Sequence, residues 1–565
     1  MGLEEAPETF SAHIHHFSMD GGETKDCIVS SSEGEEASIK ARKNNVTQTL
    51  MKQGYNVKVN VGPPVIAVLG SGGGSRAMTA FLGTLSKLAE LKLLDLVTYI
   101  GGTSGSTWCM SSLYTTENWT NVEVMKNKEE QLFKKPFSLA TSWKKTKAAF
   151  LQAEYSLTDL WAFAVVYYMT KEMIEEKLSG LKNTCGNGSI PYPVFSAVEK
   201  YTGTWCEFNP HLCGFPIYKS FVDTELLGSK FEAGTLSAKQ PEWELCYLRG
   251  LWGSAPASEE AVREALIDLL KKLVPWKFQK HKETSLLEEA TEEVSEDVEE
   301  AVFCKCKGCE LIRQIILDDS PETTFEQKLY KWKETMEKDA PHSESSEMET
   351  IELNILSDFC DDVKVLWRIV TCLSKWLWGL TNDFLYKYKE DLCPKLVNEQ
   401  EMCLVDAGLF INIPYPLMLH PYRKVDLILS FDFSSGDPFL TLKLAAKYCK
   451  EHQIPFPNVD TKATSEDIPS QCCYIFEGDG KGAPTVMHFP LFNNQTCEGK
   501  VNELRDEYST FKLNYSESEV TKLLEVAKKN VEESYEKIKE YCNRSVEWSN
   551  KMGAETEEAA ASGVN

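Results

Sequence analysis

Leu96-Val97-Thr98-Tyr99-Ile100-Gly101-Gly102-Thr103-Ser104-Gly105-Ser106-Thr107-Trp108 is the stretch on which the reading of this chain turns. Leu96 to Ile100 is an apolar run that reads as a strand, and Thr107 to Tyr114 suits a helix. Between them, Ser104 sits among small residues. A sharp strand-to-helix turn needs such neighbours because its backbone is crowded and strained. The turn exposes a serine oxygen at the end of a sheet, beside a helix N-terminus that favours negative charge. That is the setting of a serine nucleophile, although Gly-x-Ser-x-small segments also occur as plain tight turns.

Some thirty residues upstream, Val65 to Leu69 reads as a buried strand, followed by Gly70-Ser71-Gly72-Gly73-Gly74-Ser75-Arg76 and a helical pattern to about Leu91. Ester hydrolysis passes through a tetrahedral oxyanion, which backbone N–H groups stabilise when no side chain obstructs them. Consecutive glycines at a strand mouth supply such groups. A phosphate-binding loop would need a Lys after the final glycine, and none follows. A dinucleotide fingerprint would need glycine where Ser75 stands. A purely structural glycine turn is the remaining alternative. Arg76 adds a fixed cation beside the loop, suited to phosphate or carboxylate; such an arginine is also commonly a salt-bridge residue.

Far downstream, Leu404-Val405-Asp406-Ala407-Gly408 places a carboxylate at the end of an apolar run. Asp406 is either a turn residue or a general base for Ser104. Of nine histidines, His13, His15, His16, His281 and His342 fall in polar stretches, leaving His211, His420, His452 and His488 as conceivable triad partners. None has a strand-end, small-residue context like that of Asp406, so a Ser–Asp dyad fits better than a Ser–His–Asp triad.

With these three segments in order, the chain resembles the cytosolic phospholipase A2 family (group IV), in particular its gamma-type, calcium-independent members. Supporting segments are Tyr155-Ser156-Leu157-Thr158-Asp159, Leu248-Arg249-Gly250-Leu251-Trp252-Gly253-Ser254, Ser430-Phe431-Asp432-Phe433-Ser434 and His488-Phe489-Pro490-Leu491-Phe492-Asn493, and the resemblance runs from about Pro63 to about Lys529. It implies an α/β fold, a three-layer α/β/α patatin-like domain with a central mixed sheet. It further implies that Ser104 is the nucleophile and Asp406 the general base. Gly73 and Gly74 would form the oxyanion hole, Arg76 would hold the head-group phosphate, and Arg423 would be a further basic residue at the substrate. No cofactor or metal is implied.

Composition sets the limits. At 565 residues, 42% of them hydrophobic, the chain can bury a large core. Its net charge of −25 argues against nucleic-acid binding and against tight adhesion to anionic membranes. The acidic start Met1 to Phe10 lacks the apolar core of a signal peptide, so none is expected, and no apolar run approaches about 18 residues, so no spanning helix is expected. Eighteen cysteines without a secretory signal read as reduced cytosolic thiols. Cys304-x-Cys306-x-x-Cys309 lacks a matching partner group, so no metal site is expected there.

The chain divides into a disordered segment 1–40, one catalytic domain over 41–550 with a short helix within 40–60, and a disordered tail 551–565. Residues 283 to 300 hold nine Asp/Glu and no Lys/Arg, so about 280–350 reads as a mobile acidic insertion, a linker or a lid. The roughly sixty residues before the first strand are too few for a calcium-dependent C2 domain, from which calcium independence is expected. Glu517 to Trp548 reads as one amphipathic helix. Ser562 stands where a prenylation box needs Cys, and Ala6 where myristoylation needs Ser or Thr. Two aromatic segments, Trp161 to Met169 and Trp367 with Trp376-Leu377-Trp378, suit either core packing or docking at a lipid interface.

The expected function is a cytosolic serine acyl hydrolase of glycerophospholipids or lysophospholipids, meeting membranes only transiently and binding no nucleic acid. Transacylation is open to the same site. The rivals are an idle lipid-binding protein on this fold and an α/β-hydrolase esterase, which would need His420, His452 or His488.

Overall fold

The computed structural model describes residues 27–561 apart from Ala153, 254–258, 279–303, Lys305, 317–322, 339–359, 390–391, 460–462, 480–481 and Phe511. Its centre is a sheet whose strands are, in chain order, β1 (Ile66–Gly70), β2 (Tyr99–Gly102), β3 (Tyr192–Glu199), β4 (Trp205–Phe208), β5 (Leu212–Phe215) and β6 (Ser220–Asp223), then, after a separate hairpin of β7 (Lys230–Glu232) and β8 (Thr235–Ala238), β9 (Leu380–Asn382), β10 (Glu401–Val405), β11 (Leu427–Asp432), β12 (Tyr474–Phe476) and β13 (Thr485–Pro490). The spatial order is β12-β13-β11-β1-β2-β3-β4-β5-β6. The five strands from β13 to β3 are parallel, and β12, β4, β5 and β6 are antiparallel to their neighbours. Every residue of β1, β2, β3 and β11 is buried. Continuous burial of a parallel strand means both faces of the sheet are covered, which is why these strands read as unbroken apolar runs.

The register of β3 positions the site. Its residues Tyr192 to Phe195 pair with Tyr99 to Gly102 of β2, and Phe195 to Val198 pair with β4 on the other edge. Antiparallel β10 then pairs Val405 with Val198 and Leu404 with Glu199. Since β4 occupies the opposite edge at Val198, β10 lies on the β2 edge. The two strands therefore run toward each other along one edge of β3, and the residues that follow them, Thr103-Ser104 and Asp406, converge.

Helix α1 spans Glu33–Lys52, α2 spans Gly74–Glu90 and α3 spans Gly105–Tyr114. All but the last residue of α2 are buried, beneath the helix Glu517–Glu533.

Several boundaries differ from those the sequence suggests. Helix α1 begins at Glu33, within the segment expected to be disordered, because Ser32 caps it by accepting from the Glu35 N–H at 3.3 Å. Strand β2 starts at Tyr99, since Leu94–Leu96 close a 3-10 turn. The C-terminal region forms two helices, Glu517–Glu533 and Tyr535–Ala561, with Ser534 between them; the second runs into the stretch read as a tail. Of the acidic insertion, Lys307–Leu311 and Phe325–Lys338 are helical, while 283–300 and 339–350 lie outside the described residues. The aromatic segment Trp161–Val166 is a buried π-helical turn, and Trp367 and Trp378 are buried as well. Their burial fits the core-packing reading of these residues. Among the described residues, no helix is long and apolar enough to cross a membrane.

Candidate active site

Ser104 occupies the turn between β2 and α3 with φ 50° and ψ −122°. A left-handed φ at a non-glycine residue is strained, and it persists only where neighbours hold it. They do so here through a dense set of bonds. The Thr103 N–H donates to Gly70 O at 3.1 Å, and Ser106 Oγ donates to Ser71 O at 2.6 Å, so both sides of the turn are tied to the β1 end. Ser196 Oγ on β3 donates to Gly102 O at 2.9 Å and lies 3.1 Å from Thr103 Oγ1. Thr107 closes the first turn of α3, its N–H and Oγ1 both donating to Ser104 O, at 2.8 and 2.5 Å. Ser104 is 8% exposed, so its hydroxyl is reached only through the cavity it lines.

That cavity has a volume of about 360 Å³. Gly73, Gly74, Arg76, Ser104 and Asp406 all line it, with Trp108, Trp161, Met169 and Leu513 among its apolar walls. Asp406 follows β10 and caps the short turn Ala407–Leu409, its Oδ1 accepting from the Gly408 N–H at 2.7 Å. This bond orients the carboxylate, which is 1% exposed.

The glycine loop is held by a residue that the sequence reading missed. Asn412 accepts from the Gly72 N–H through both its backbone O, at 3.0 Å, and its side-chain Oδ1, at 3.1 Å. Its Nδ2 donates to Ser434 Oγ at 2.8 Å. A β-carbon at Gly72 would stand 2.5 Å from Asn412 Oδ1 and 2.9 Å from Ser104 Cβ. The signal in the sequence is a lone amide inside Phe410-Ile411-Asn412-Ile413, an apolar stretch just after Asp406. With Gly72 so engaged, the N–H groups of Gly73 and Gly74, at the N-terminus of α2, meet no acceptor among the described residues and border the same cavity as Ser104. Unpaired N–H groups at a helix start are ready donors for an anion.

Arg76 is fully buried. Its Nε donates to Phe433 O at 2.6 Å, Nη1 to Tyr508 O, and Nη2 to Thr510 Oγ1 at 3.2 Å. Burial draws its pKa below the usual arginine value, opposed by Tyr515 and Asp432. Three of its five N–H donors are thus engaged with the protein.

The structure brings Ser104, Asp406, Gly73, Gly74 and Arg76 to one cavity and does not bring Arg423 there. The Arg423 guanidinium grips Glu207 of β4 in a fork, Nη1 to Oε2 at 2.9 Å and Nη2 to Oε1 at 2.5 Å. It also donates to Leu417 O at 2.7 Å and lies 3.5 Å from Glu35 of α1. Burial pushes the Glu35 carboxyl up to about 7, against the pull of Arg423. Through Glu35 and Glu207 the Arg423 guanidinium links α1 to β4, away from the cavity that Ser104 and Asp406 line.

Among the described residues, no histidine lines the cavity. His488 is buried between strands, its Nε2 2.7 Å from Pro438 O, and burial lowers its pKa. His420 Nε2 lies 2.7 Å from Pro216 O. His452 packs against Tyr448 with ring centroids 4.2 Å apart and planes tilted by 40°, and His211 Nδ1 meets Tyr192 Oη at 2.7 Å. The one cluster of metal-ligating type among the described residues, Cys304, Cys306, Cys309 and Cys360, includes no residue of this cavity.

Residues 66–489 match the family described as lysophospholipase catalytic domain. The chain is 38% identical over 537 residues to human cytosolic phospholipase A2 gamma, covering 89% of this chain and 93% of that protein. It is 35% identical over 548 residues to the mouse gamma protein, covering 89% of each. With mouse cytosolic phospholipase A2 zeta it shares 32% identity over 516 residues, 84% of this chain and 57% of that protein. In fold it superimposes on the solved structure of human GIVD cytosolic phospholipase A2 with a TM-score of 0.65 at 23% identity, covering 94% of this chain and 69% of that one. The mixed central sheet with covering helices is accordingly the α/β patatin-like architecture, and the chain belongs to the cytosolic phospholipase A2 family of hydrolases.

Proposed function

We propose that this protein cleaves fatty acyl esters of glycerophospholipids or lysophospholipids through a Ser104–Asp406 dyad and an acyl-enzyme. The observation that carries this reading is the single cavity shared by a strained Ser104, the Asp406 carboxylate and the N–H groups of Gly73 and Gly74. Ser104 Oγ attacks the ester carbonyl carbon as its proton passes to Asp406. The resulting oxyanion is held by the Gly73 and Gly74 N–H groups. Collapse breaks the carbon–oxygen bond, and the leaving alcohol oxygen, of a lysolipid or, from a lysolipid substrate, of the deacylated glycerophosphodiester, takes the proton from Asp406. Water then gives a proton to Asp406 and attacks the acyl–Ser104 ester. The second tetrahedral species releases the fatty acid, and Asp406 returns the proton to Ser104. A lysolipid hydroxyl in place of water gives transacylation.

The partners are thus the lipid and, transiently, a membrane surface. Leu409, Phe410 and Leu440 line the cavity yet are 53%, 36% and 50% exposed, giving the mouth an apolar rim for a peripheral, cytoplasmic enzyme to set against lipid. Arg76 at the cavity wall, with two donors left, suits the head-group phosphate. The steps written here draw on no cation, so fatty acid release with calcium chelated is the expected behaviour. An acyl-chain fluorophosphonate tests the nucleophile. Peptide mapping is expected to find the adduct on Ser104 and none in Ser104→Ala; an adduct on another residue contradicts the assignment.

A further inference from the structure

Cys304, Cys306, Cys309 and Cys360 bring their four sulfurs within 4.8 Å of one another. Three come from a Cys-x-Cys-x-x-Cys run. The fourth stands at the head of the helix Asp361–Lys375, 51 residues beyond Cys309, which is why the spacing alone gave no metal site. We propose that these four cysteines bind one zinc ion as a structural tetrathiolate site.

The geometry carries this. A Zn–S bond of about 2.3 Å in a regular tetrahedron sets neighbouring sulfurs about 3.8 Å apart. Cys306 Sγ and Cys309 Sγ lie 3.9 and 3.7 Å from Cys360 Sγ. These separations are far longer than a disulfide bond of about 2.05 Å. The surroundings also favour thiolate. The Cys306 N–H donates to Cys304 Sγ at 3.4 Å, the type of backbone bond that orients a metal-bound sulfur. Cys360 is the N-cap of a 15-residue helix, whose positive end stabilises an anionic sulfur. Arg313 donates through Nη2 to Cys304 O at 2.9 Å, setting a cation beside the cluster.

On binding, four thiols release four protons and Zn²⁺ takes four sulfur ligands, leaving a net charge of −2 on the site. With all four positions filled by protein, no place remains for water, so the ion is structural. It ties the Cys304–Cys309 strap to the Asp361–Lys375 helix. Arg313 Nε, 3.4 Å from Phe278 O, continues the tie to the end of the helix Glu259–Phe278, whose Ala265 lines the active-site cavity. Soft tetrahedral sulfur ligands suit zinc or iron; zinc is the commitment here.

The full chain, purified under reducing conditions without added metal, is expected to carry near one zinc ion by elemental analysis. The double variant Cys306→Ser/Cys309→Ser is expected to carry none, and Cys449→Ser, at a buried cysteine elsewhere, to keep it. Chelation is expected to lower the melting temperature of the wild type and leave the double variant unchanged. Replacement of zinc by Co²⁺ is expected to produce sulfur-to-metal absorption bands in the wild type. If the double variant does not fold, the stoichiometry, the chelation shift and the Co²⁺ spectrum of the wild type still decide. A wild type with neither zinc nor a Co²⁺ spectrum overturns the proposal, as do iron in place of zinc and a mapped disulfide joining Cys360 to Cys306 or Cys309.

Discussion

Gly105 packs against the carbonyl of Gly74 so closely that a β-carbon at Gly105 would stand 2.0 Å from that oxygen. The residue after Ser104 and the first residue of α2 are thus in direct backbone contact, and the serine turn and the glycine loop hold each other's position. The obstructing atom is backbone, so it cannot swing aside. Gly105→Ala is expected to force the turns apart and cut kcat by at least about a hundredfold, the scale set by losing an oxyanion donor. Unchanged steady-state kinetics in the purified variant would show that this contact does not set the site.

Arg423 and Glu207 form a fully buried pair, side chains 0% exposed. Arg423→Met leaves Glu207 buried without its partner, a change that costs about 3–5 kcal/mol. Denaturant titration is expected to show that loss, while turnover per folded molecule stays near the wild-type value. A variant of undiminished stability but lost turnover would return Arg423 to the substrate.

Burial pushes the Asp383 carboxyl up to about 8, with Leu385 N–H bonding opposing and Glu199 adding to the rise. In the unfolded chain it ionises near pH 4. Between these values the folded protein holds one more proton than the unfolded one, so this group's contribution to stability falls as pH rises from about 4 to about 8 and is flat above. Asp383→Asn abolishes that titration. The unfolding free energy of the variant relative to wild type is therefore expected to increase with pH across this window. Parallel curves for the two proteins would contradict the assignment.

A triad predicts an essential histidine; the site described here does not. His452→Ala is expected to leave kcat/KM unchanged. His420→Ala and His488→Ala are expected to lower stability, through the lost bonds to Pro216 O and Pro438 O, without abolishing turnover. Any of the three that abolishes turnover at an unchanged melting temperature would restore the triad.

Local chemistry at the site was legible in the sequence because each part lies at a strand end among small residues: Gly72 to Gly74 after β1, Ser104 after β2, Asp406 after β10. What was not legible depends on distant segments meeting. Nothing in the local sequence beyond a lone amide marks Asn412, whose role rests on bonds to Gly72, 340 positions earlier. Arg423 reads from the sequence as a basic residue at the substrate, and only the fold brings Glu207, 216 positions earlier, to pair with it. The aromatic runs at Trp161 and Trp367 were ambiguous because apolar periodicity reads the same for core and lipid. Cys360 lay too far from Cys309 for any spacing rule to join them. Helix boundaries failed by cap chemistry, as at Ser32 before α1.

On the mechanism proposed above, Ser104 and Asp406 together perform acyl transfer without calcium. Its most direct test is fatty acid release from sn-2-labelled phosphatidylcholine and lysophosphatidylcholine vesicles with calcium chelated, comparing wild type, Ser104→Ala and Asp406→Asn, each shown to be folded by its melting curve. The wild type is expected to release fatty acid from at least one of these lipids, and both variants to fall by at least about a thousandfold. Retained turnover in either folded variant, or a wild type active only when calcium is restored, would contradict the account.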